Sequence, residues 1–496
     1  MKALFAFSII LIMSLFQSYG QLPSFKRGMA YGYHSPADLE ALSAGLTWWY
    51  NWSVTPETSV SAVYGDYGFD FVPMAWNGSF NETQLRAFLT DHPDVKYLLA
   101  YNEPNFIEQA NMTPSQAAAN WPKLEAIADD FNLKIVGPAV NYCGNCVSEG
   151  GTTYTDPFKY LDDFFNACGD CRVDYVAVHC YMNTIGALSW YVNEFKKYNR
   201  PIWLTEFAGW ESNGNINDAG DQESFLIGAV DFLESNPSVY RYSWFIGRTS
   251  GGPDVYPYID LLDADGELTA LGNIYVNMPV HDTTYYLAVP GHIEAENYSQ
   301  MEGMLLEKTS DVSGFANCGY IAANDWLVYN IDVGESRNYA LDIRAACAKS
   351  SVLEVLVDDV PAATVNLANT GGYQDWQTFS TSFNLDAGRH KLKLMAKTDG
   401  FNLNWIAFRD LGPTGLHEPL STSGMMFPNP AGNIVTFEKA DGVSTIEIID
   451  VTGRKQIRVT FQPTVDVSQL REGFYLVRVV HPEKGIMFTK PLIIKR

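Results

Sequence analysis

Two glutamates stand at the ends of apolar runs. In Leu99-Ala100-Tyr101-Asn102-Glu103-Pro104 and in Trp203-Leu204-Thr205-Glu206-Phe207 a carboxylate follows a segment that reads as a buried parallel strand. Runs of this kind recur, separated by helix-like stretches, through about the first 280 residues. Two carboxyl groups at the C-terminal ends of separate barrel strands have what glycosidic bond cleavage needs. One protonates the leaving oxygen and the other attacks the anomeric carbon. In the double-displacement version the two carboxyls must stand about 5–5.5 Å apart. Glu103 and Glu206 are distant in sequence and can meet that closely only through the fold.

The elements that would position them can be read from the same stretch. Strand-like runs cover Gly28–Tyr33, Thr47–Trp52, Phe69–Trp76, Tyr97–Glu103, Lys134–Asn141, Val173–Tyr181, Ile202–Phe207 and Tyr240–Ile246. Amphipathic segments lie between most of them. Asn81 is placed to cap a helix over Glu82–Asp91, and Thr113-Pro114 opens one that runs to about Asp130. Pro157–Asn166, Ser189–Tyr198 and Asp221–Glu234 supply later helices, while the first two connections are short. This alternation predicts a (β/α)8 TIM barrel over residues 21–281, with Glu103 ending the fourth strand and Glu206 the seventh.

Beyond the barrel the pattern changes. Residues 285–411 show short alternating strands, glycine-bearing turns and almost no helical period, the pattern of a β-sandwich of jelly-roll type. Residues 412–424 form a linker of small and turn residues. Residues 425–496 alternate again over Ser444–Asp450 and Phe474–Val480, which predicts a second, small β-sandwich. That last segment carries 10 Lys and Arg against 7 Asp and Glu, so it is basic in a chain whose net charge is −24.

At 496 residues the chain exceeds one core, so several domains are expected. Residues 1–20 read as a signal peptide: Lys2, an apolar run from Ala3 to Phe16, then Ser18-Tyr19-Gly20. No later stretch is long enough to span a bilayer. The acidic balance argues against nucleic acid and anionic membrane as partners. The chain is expected to be a monomer, secreted or on the cell surface. Twelve Trp and twenty-eight Tyr suit a carbohydrate ligand, although many aromatics must serve the core. Among seven cysteines, Cys143-x-x-Cys146 and Cys168-x-x-Cys171 read as local disulfides in an exported chain rather than a zinc site. Cys318 and Cys347 are candidates to pair, and Cys180 is the candidate odd, buried thiol.

The match to known chemistry extends beyond two glutamates. Asn102-Glu103-Pro104, Gly137-Pro138-Ala139, the cysteine loop Cys168–Cys171, Asp174–Tyr181 and Leu204–Ala208 occur in an order that resembles glycoside hydrolase family 128, β-1,3-glucanases of the retaining barrel clan. The resemblance covers about residues 28–280. It implies Glu103 as acid/base, Glu206 as nucleophile and Asn102 as the partner of the sugar 2-hydroxyl. His179 and Tyr181 would orient the nucleophile or hold its charge state. Trp244 would floor the −1 subsite, and Trp48, Trp49, Trp76 and Trp210 would line the cleft. Cys180 stands where a bulky aromatic is expected. No cofactor is expected for catalysis. The residues leave open a related retaining glycosidase acting on β-1,4 or β-1,6 linkages. A non-catalytic glycan-binding surface protein would require one carboxylate lost, and both are present.

The sandwich resembles family 6 carbohydrate-binding modules through Ile293–Tyr298, Gly319-Tyr320-Ile321 with Asn324-Asp325-Trp326, Thr370–Trp376 and Asn402–Ile406. The resemblance implies that Tyr320 and Tyr373 clamp a sugar ring while Asn402 fixes its hydroxyls. It also implies a structural calcium ion held by Glu294, Glu296 and Asp410, whose hard oxygens suit that ion. The tail resembles the sorting domain of type IX secretion cargo through Pro428-Asn429-Pro430, Ile446–Asp450 with Gly453, Val465–Leu470, Gly473–Val477 and Lys490–Ile494. That resemblance implies export through the outer membrane by the type IX machinery. The expectation is a secreted endo-β-1,3-glucanase acting on laminarin- or curdlan-type β-glucan, with a module that keeps it on its polymer.

Overall fold

The computed structural model describes residues 22–210, 214–312, 314–412, 426–437, 444–450, 454–481 and 485–496. The expected signal peptide and nearly all of the expected linker lie outside the described residues. The chain divides into two compact units, one holding the described residues to Glu335 with Tyr339–Arg409, the other Ser336–Asn338 with Asp410–Arg496.

In the first unit nine parallel strands make one curled sheet: β1 (Ser24–Ala30), β2 (Leu46–Tyr50), β3 (Asp70–Phe71), β4 (Met74–Ala75), β5 (Tyr97–Asn102), β6 (Lys134–Val140), β7 (Tyr175–Cys180), β8 (Ile202–Phe207) and β9 (Val239–Trp244). Their spatial order is β3-β2-β1-β9-β8-β7-β6-β5-β4. The edge strands β3 and β4 are halves of one segment, interrupted at Val72-Pro73 because proline has no N–H to give a ladder. Val72 N donates to Trp49 O on one side at 3.0 Å, and Pro73 O accepts from Leu99 N on the other at 3.0 Å. The single run expected over Phe69–Trp76 thus serves two neighbours.

Helices α1 (Pro36–Leu42), α2 (Glu82–Asp91), α3 (Pro114–Phe131), α4 (Pro157–Cys168), α5 (Ile185–Glu194), α6 (Ala219–Ser235) and α7 (Ala270–Asn277) cover the outside of the sheet. The starts of α2, α3 and α4 follow the sequence signals, whereas α5 begins at Ile185 behind the cap Thr184, four residues before the expected Ser189, and gives way to a 3-10 turn over Phe195–Tyr198. Asn81 accepts from Gln84 N, and Thr113 forms a capping box with Gln116 behind Pro114. Between β2 and β3 there is only a short 3-10 turn, Tyr64–Tyr67, which agrees with the short second connection.

Alternation along the strands decides which aromatics face inward. Trp48, Tyr50, Val72, Met74, Tyr97, Leu99 and Trp203 form one inner cluster. The buried Arg241 guanidinium lies over the rings of Phe25, Trp48, Tyr97 and Trp203 at 4.5–5.5 Å and bonds Asp70 at 2.8 Å. This cation–aromatic layer fills the interior away from the chemistry. Trp48 therefore belongs to the packed interior, fully buried with its indole donating to Lys26 O, and does not line a cleft. Trp49 faces outward against Tyr64, Phe69 and Phe71.

The sandwich pairs two sheets. One orders the strands Leu287–Val289, Trp326–Val333, Gly388–Ala396, Ser351–Val357 and Val360–Leu367, with Gln300–Glu302 also pairing Trp326–Val333. The other orders Leu305–Lys308, Ala316–Gly319, Phe401–Asp410, Arg337–Cys347 and Trp376–Leu385, with Gly291–Glu294 pairing Phe401–Asp410. Cys143–Cys146 and Cys168–Cys171 are disulfides, and Cys180 is a buried thiol, all as expected. Cys318 and Cys347 do not pair. Each is a separate buried thiol, because burial as a small apolar side chain is available to both. The second unit packs a three-stranded sheet and a four-stranded sheet around Val435, Ile446, Ile448, Val465, Val477, Val479 and Leu492.

Candidate active site

Glu103 and Glu206 arrive at one place from different strands. The register of β5 against β6 shifts twice, between Leu99 and Ala100 and again between Ala100 and Asn102. Tyr101 and Glu103 have φ of 55° and 43°. Two left-handed non-glycine residues this close cost energy and persist only where the surroundings over-determine them. On β8, Glu206 lies opposite His179 of β7. Carboxylate oxygens of both glutamates and a ring nitrogen of His179 all lie within 4.8 Å of one another. His179 Nδ1 stands 3.0 Å from Glu103 Oε1 and 3.2 Å from Glu206 Oε2. The imidazole thus bridges the two acids.

Glu206 is surrounded by donors. Tyr50 O–H and Trp52 Nε1 donate to its Oε1 at 3.0 and 2.8 Å, and the Tyr181 hydroxyl donates to its Oε2. Burial pushes the Glu206 carboxyl above its ordinary range; His179 and these donors oppose that shift, and neighbouring Glu103 adds to it. For His179 burial works toward the neutral ring, but the two carboxylates outweigh it and its pKa is raised. The Tyr50 and Tyr181 hydroxyls are held well above their ordinary pKa by burial and then by Glu206, so both remain donors. The arrangement can keep one buried carboxylate ionised and fixed while a second accepts or gives a proton next to it.

Asn102 is buried, its amide donating to Gln109 Oε1 at 3.2 Å; its Oδ1 has no partner among the described residues, leaving an acceptor available for a hydroxyl. Trp76 is half-buried and packs against the inner cluster. Trp210 is 38% exposed, with Tyr181 edge-on at 5.5 Å and Phe245 stacked at 5.8 Å. Trp244 is not at this mouth. It is fully buried on the outer face of β9, against Phe207 and Tyr275, with its indole donating to Ile259 O. Inward positions along β9 are Arg241 and Ser243, so the residue that reaches the mouth is Phe245, beside Trp52, Tyr181 and Trp210. Three site residues thus escaped the sequence reading: Tyr50, Trp52 and Phe245. The signal was period two, since Trp48, Tyr50 and Trp52 alternate on one face, as do Arg241, Ser243 and Phe245.

On the sandwich, Tyr320 and Tyr373 are 69% and 53% exposed, as a stacking pair would need to be. Asn402 is buried and its amide is committed to Glu307 Oε1 at 2.7 Å and Tyr373 O at 2.8 Å. Glu307 also accepts from Asn317 and Gln374, making a polar bed that the motifs did not single out.

The three acids expected to hold calcium do not converge. Asp410 closes its strand beyond Phe408, the partner of Gly291, whereas Glu294 pairs with Trp405. Asp410 is instead paired with Arg337 at 3.4 Å. Glu294 Oε2 and Glu296 Oε2 are both buried without a hydrogen-bond partner among the described residues. They border a cavity of about 700 Å³ shared by the sandwich with α6 and α7. A Cβ added at Gly314 would lie 3.3 Å from Glu294 Oε2 and 3.8 Å from Asn404 Oδ1. Burial, reinforced by Glu294, pushes the Glu296 carboxyl well above its ordinary range. Bare buried oxygens of this kind fit a hard cation.

Three family descriptions match the chain: glycosyl hydrolase catalytic core over residues 28–275, carbohydrate binding module (family 6) over 294–410, and secretion system C-terminal sorting domain over 425–495. A family 128 (subgroup II) endo-β-1,3-glucanase from Pseudomonas viridiflava is 43% identical over 52% of this chain and 99% of its own, with a TM-score of 0.48. The C-terminal family 6 module of a marine laminarinase from Zobellia galactanivorans is 31% identical over 24% of this chain and 98% of its own, with a TM-score of 0.23. Alkali-sensitive linkage protein 1 of Schizosaccharomyces pombe is 28% identical over 51% of this chain and 44% of its own length. The chain spans less than half the length of the curated relatives it matches.

Proposed function

We propose that this chain, which belongs to the glycosyl hydrolase catalytic-core family, is an exported endo-β-1,3-glucanase that cleaves laminarin- or curdlan-type β-glucan by double displacement. The observation that carries the reading is the meeting of Glu103, His179 and Glu206 within 4.8 Å. That proximity favours a directly attacking carboxylate over one working through an interposed water, which needs wider spacing. The curled sheet is taken as an eightfold barrel, supported by the hydrogen bonds on both sides of Val72-Pro73. The β-1,3 linkage is supported by the 43% identical glucanase, and a polysaccharide partner by the family 6 module. Export by the type IX machinery is supported by the sorting-domain match.

In this mechanism Glu206 enters as a carboxylate, held ionised by Tyr50, Trp52, Tyr181 and His179 against the cost of its burial. It attacks the anomeric carbon while Glu103 gives its proton to the leaving oxygen. His179 Nδ1, 3.0 Å from Glu103 Oε1, faces the negative charge that passes to Glu103 as the proton leaves. Asn102 Oδ1 accepts from the sugar 2-hydroxyl as the oxocarbenium develops. Glu103 then removes a proton from water, which releases the glycosyl group from Glu206. Trp210 and Phe245 offer apolar faces to the ring beside the nucleophile. Glu294 and Glu296 in the module, without Asp410, would hold a structural calcium ion, which would supply charge neutralisation there.

The test is Glu206→Gln with laminarin as substrate, together with NMR of the first-formed anomer from the native protein. The expected result is a folded, inactive variant and a β-anomer as first product. Activity in the variant or an α-anomer as first product would overturn the mechanism. Barley mixed-linkage glucan and xylan as parallel substrates decide the linkage.

A further inference from the structure

We infer that Glu57, which touches neither glutamate of the pair, is a positioning residue that fixes the turn from which Trp52 holds Glu206. The inference rests on the proposed role of Glu206 as nucleophile.

The turn after β2 is unusual in its backbone and in its ties. Trp52 has φ of 58°, a left-handed conformation that a bulky aromatic rarely adopts unless held. Its indole nevertheless reaches Glu206 Oε1 at 2.8 Å. Asn51, the residue before it, holds the turn from inside. Its Oδ1 accepts from Ser53 N at 3.1 Å, and its Nδ2 donates to Thr55 O at 3.0 Å and to Glu57 Oε2 at 2.9 Å. Glu57 then fastens the turn to β2 and to the loop that follows β1. Oε2 accepts from Trp49 Nε1 at 3.4 Å, and Oε1 accepts from the backbone N of His34 at 3.3 Å and faces His34 Nδ1 at 2.8 Å.

The His34–Glu57 pair is more buried than a loop acid needs to be. The Glu57 side chain is 11% exposed and that of His34 is 1% exposed. Burial alone would raise the Glu57 carboxyl, but its bonds to His34 outweigh burial and lower it, so it stays an acceptor for Asn51. Every acceptor position on Glu57 is therefore spent on the walls of one turn. The chain of contacts runs His34–Glu57–Asn51–Trp52–Glu206. Trp52 is the sole member of it that touches the nucleophile; the other groups facing Glu206 are Tyr50, Tyr181, His179 and Glu103. A carboxylate that loses an aligned donor in a buried site binds its proton more tightly.

The test compares Glu57→Gln, Trp52→Phe and the double variant on two readouts. The first is the pH profile of kcat/KM on laminarin. The second, free of substrate, is the titration of the Glu206 side-chain carbon by NMR in protein carrying ¹³C-labelled glutamate, assigned with Glu206→Gln. We expect Glu57→Gln to melt near the native temperature, to move the Glu206 titration and the acid limb of kcat/KM to higher pH, and to lower kcat by about tenfold, the scale of a small misplacement. Trp52→Phe moves both readouts the same way, and the double variant moves them no further than the larger single change, since the two act through one bond. Should Glu57→Gln unfold, Asn51→Ala cuts the same tie from its other end. A folded Glu57→Gln or Asn51→Ala with an unmoved Glu206 titration overturns the inference, as does full additivity with Trp52→Phe. If the native protein releases no sugar from laminarin, the functional reading fails while the NMR titration still decides this one.

Discussion

Removing the Tyr181 hydroxyl is the perturbation whose consequence can be worked most directly from the site. Tyr181→Phe keeps the ring against Trp210 and Phe245 and deletes one donor to Glu206. Three partners remain: Tyr50 at 3.0 Å, Trp52 at 2.8 Å and His179 at 3.2 Å. A hydrogen bond to a charged group contributes about 1.5–3 kcal/mol. His179 already faces the vacated oxygen and recovers part of this, which leaves a net loss of about 2 kcal/mol within that range. Burial holds the Glu206 carboxyl above its ordinary range and the Tyr181 bond opposes that, so its removal shifts ionisation to higher pH. Below that ionisation Glu206, the proposed nucleophile, is protonated and inert. On the acid side of the kcat/KM profile the whole loss is therefore expressed, about thirtyfold. On the plateau, where Glu206 is ionised in both proteins, only looser positioning remains and the deficit shrinks to a few-fold. The assay is the initial rate of reducing-end release from laminarin across the pH range in which both proteins are folded, at fixed ionic strength, beside melting temperatures. A folded Tyr181→Phe with an unmoved acid limb would refute the assignment of Glu206 as the group that must be ionised.

Glu103→Ala should lower polysaccharide hydrolysis by about a hundredfold or more, while sparing formation of the glycosyl intermediate from an aryl β-glucoside whose leaving group needs no acid; equal losses on both substrates would remove Glu103 from proton transfer. Tyr320→Ala and Tyr373→Ala should each weaken retention on insoluble β-glucan by about threefold to tenfold, the scale of one aromatic stacking contact, with turnover of short soluble oligosaccharides unchanged; unchanged retention in pull-down would place the binding face elsewhere. Glu296 supplies a test of the proposed cation site in the module. Its folded pKa is raised well above the unfolded value, so in chelator the buried carboxylate costs stability increasingly as pH rises above the unfolded pKa. Calcium is then expected to raise the melting temperature at neutral pH. Glu296→Gln should abolish that gain and flatten the pH dependence in chelator, and calorimetry that shows the same calcium response in both proteins would exclude the site.

Much of the site was legible in the chain because its chemistry is local. Asn102-Glu103-Pro104 and Thr205-Glu206-Phe207 each join a carboxylate to the end of an apolar run, and the C-terminal ends of parallel strands are where such residues can meet. Capping residues, proline positions and paired cysteines are equally local, so Asn81, Thr113-Pro114, Cys143–Cys146 and Cys168–Cys171 behave as read. Tryptophan placement was not local in this sense. Trp48, Trp49 and Trp244 looked like cleft residues by type, but one step along a strand exchanges inside for outside, which sends Trp49 and Trp244 to the outer face, while Trp48 faces inward in the packed layer around Arg241. The face each occupies is set by the register of neighbouring strands, and Tyr50, Trp52 and Phe245 take the mouth instead. Asp410 was separated from Glu294 and Glu296 by the same cause, since the antiparallel register sets Trp405 and not Asp410 against Glu294.

The sequence by itself determined which groups are present to act, roughly where most strands and several helices lie, and that three kinds of domain follow one another. Those properties depend on residue type and short-range spacing. Only the tertiary structure decided that His179 stands between the two acids, that four donors converge on Glu206, and that the Asn51–Glu57–His34 ties brace the Trp52 turn. These contacts join residues from separate strands, and their geometry comes from register, bulges and curl of the sheet, which no stretch of sequence encodes alone.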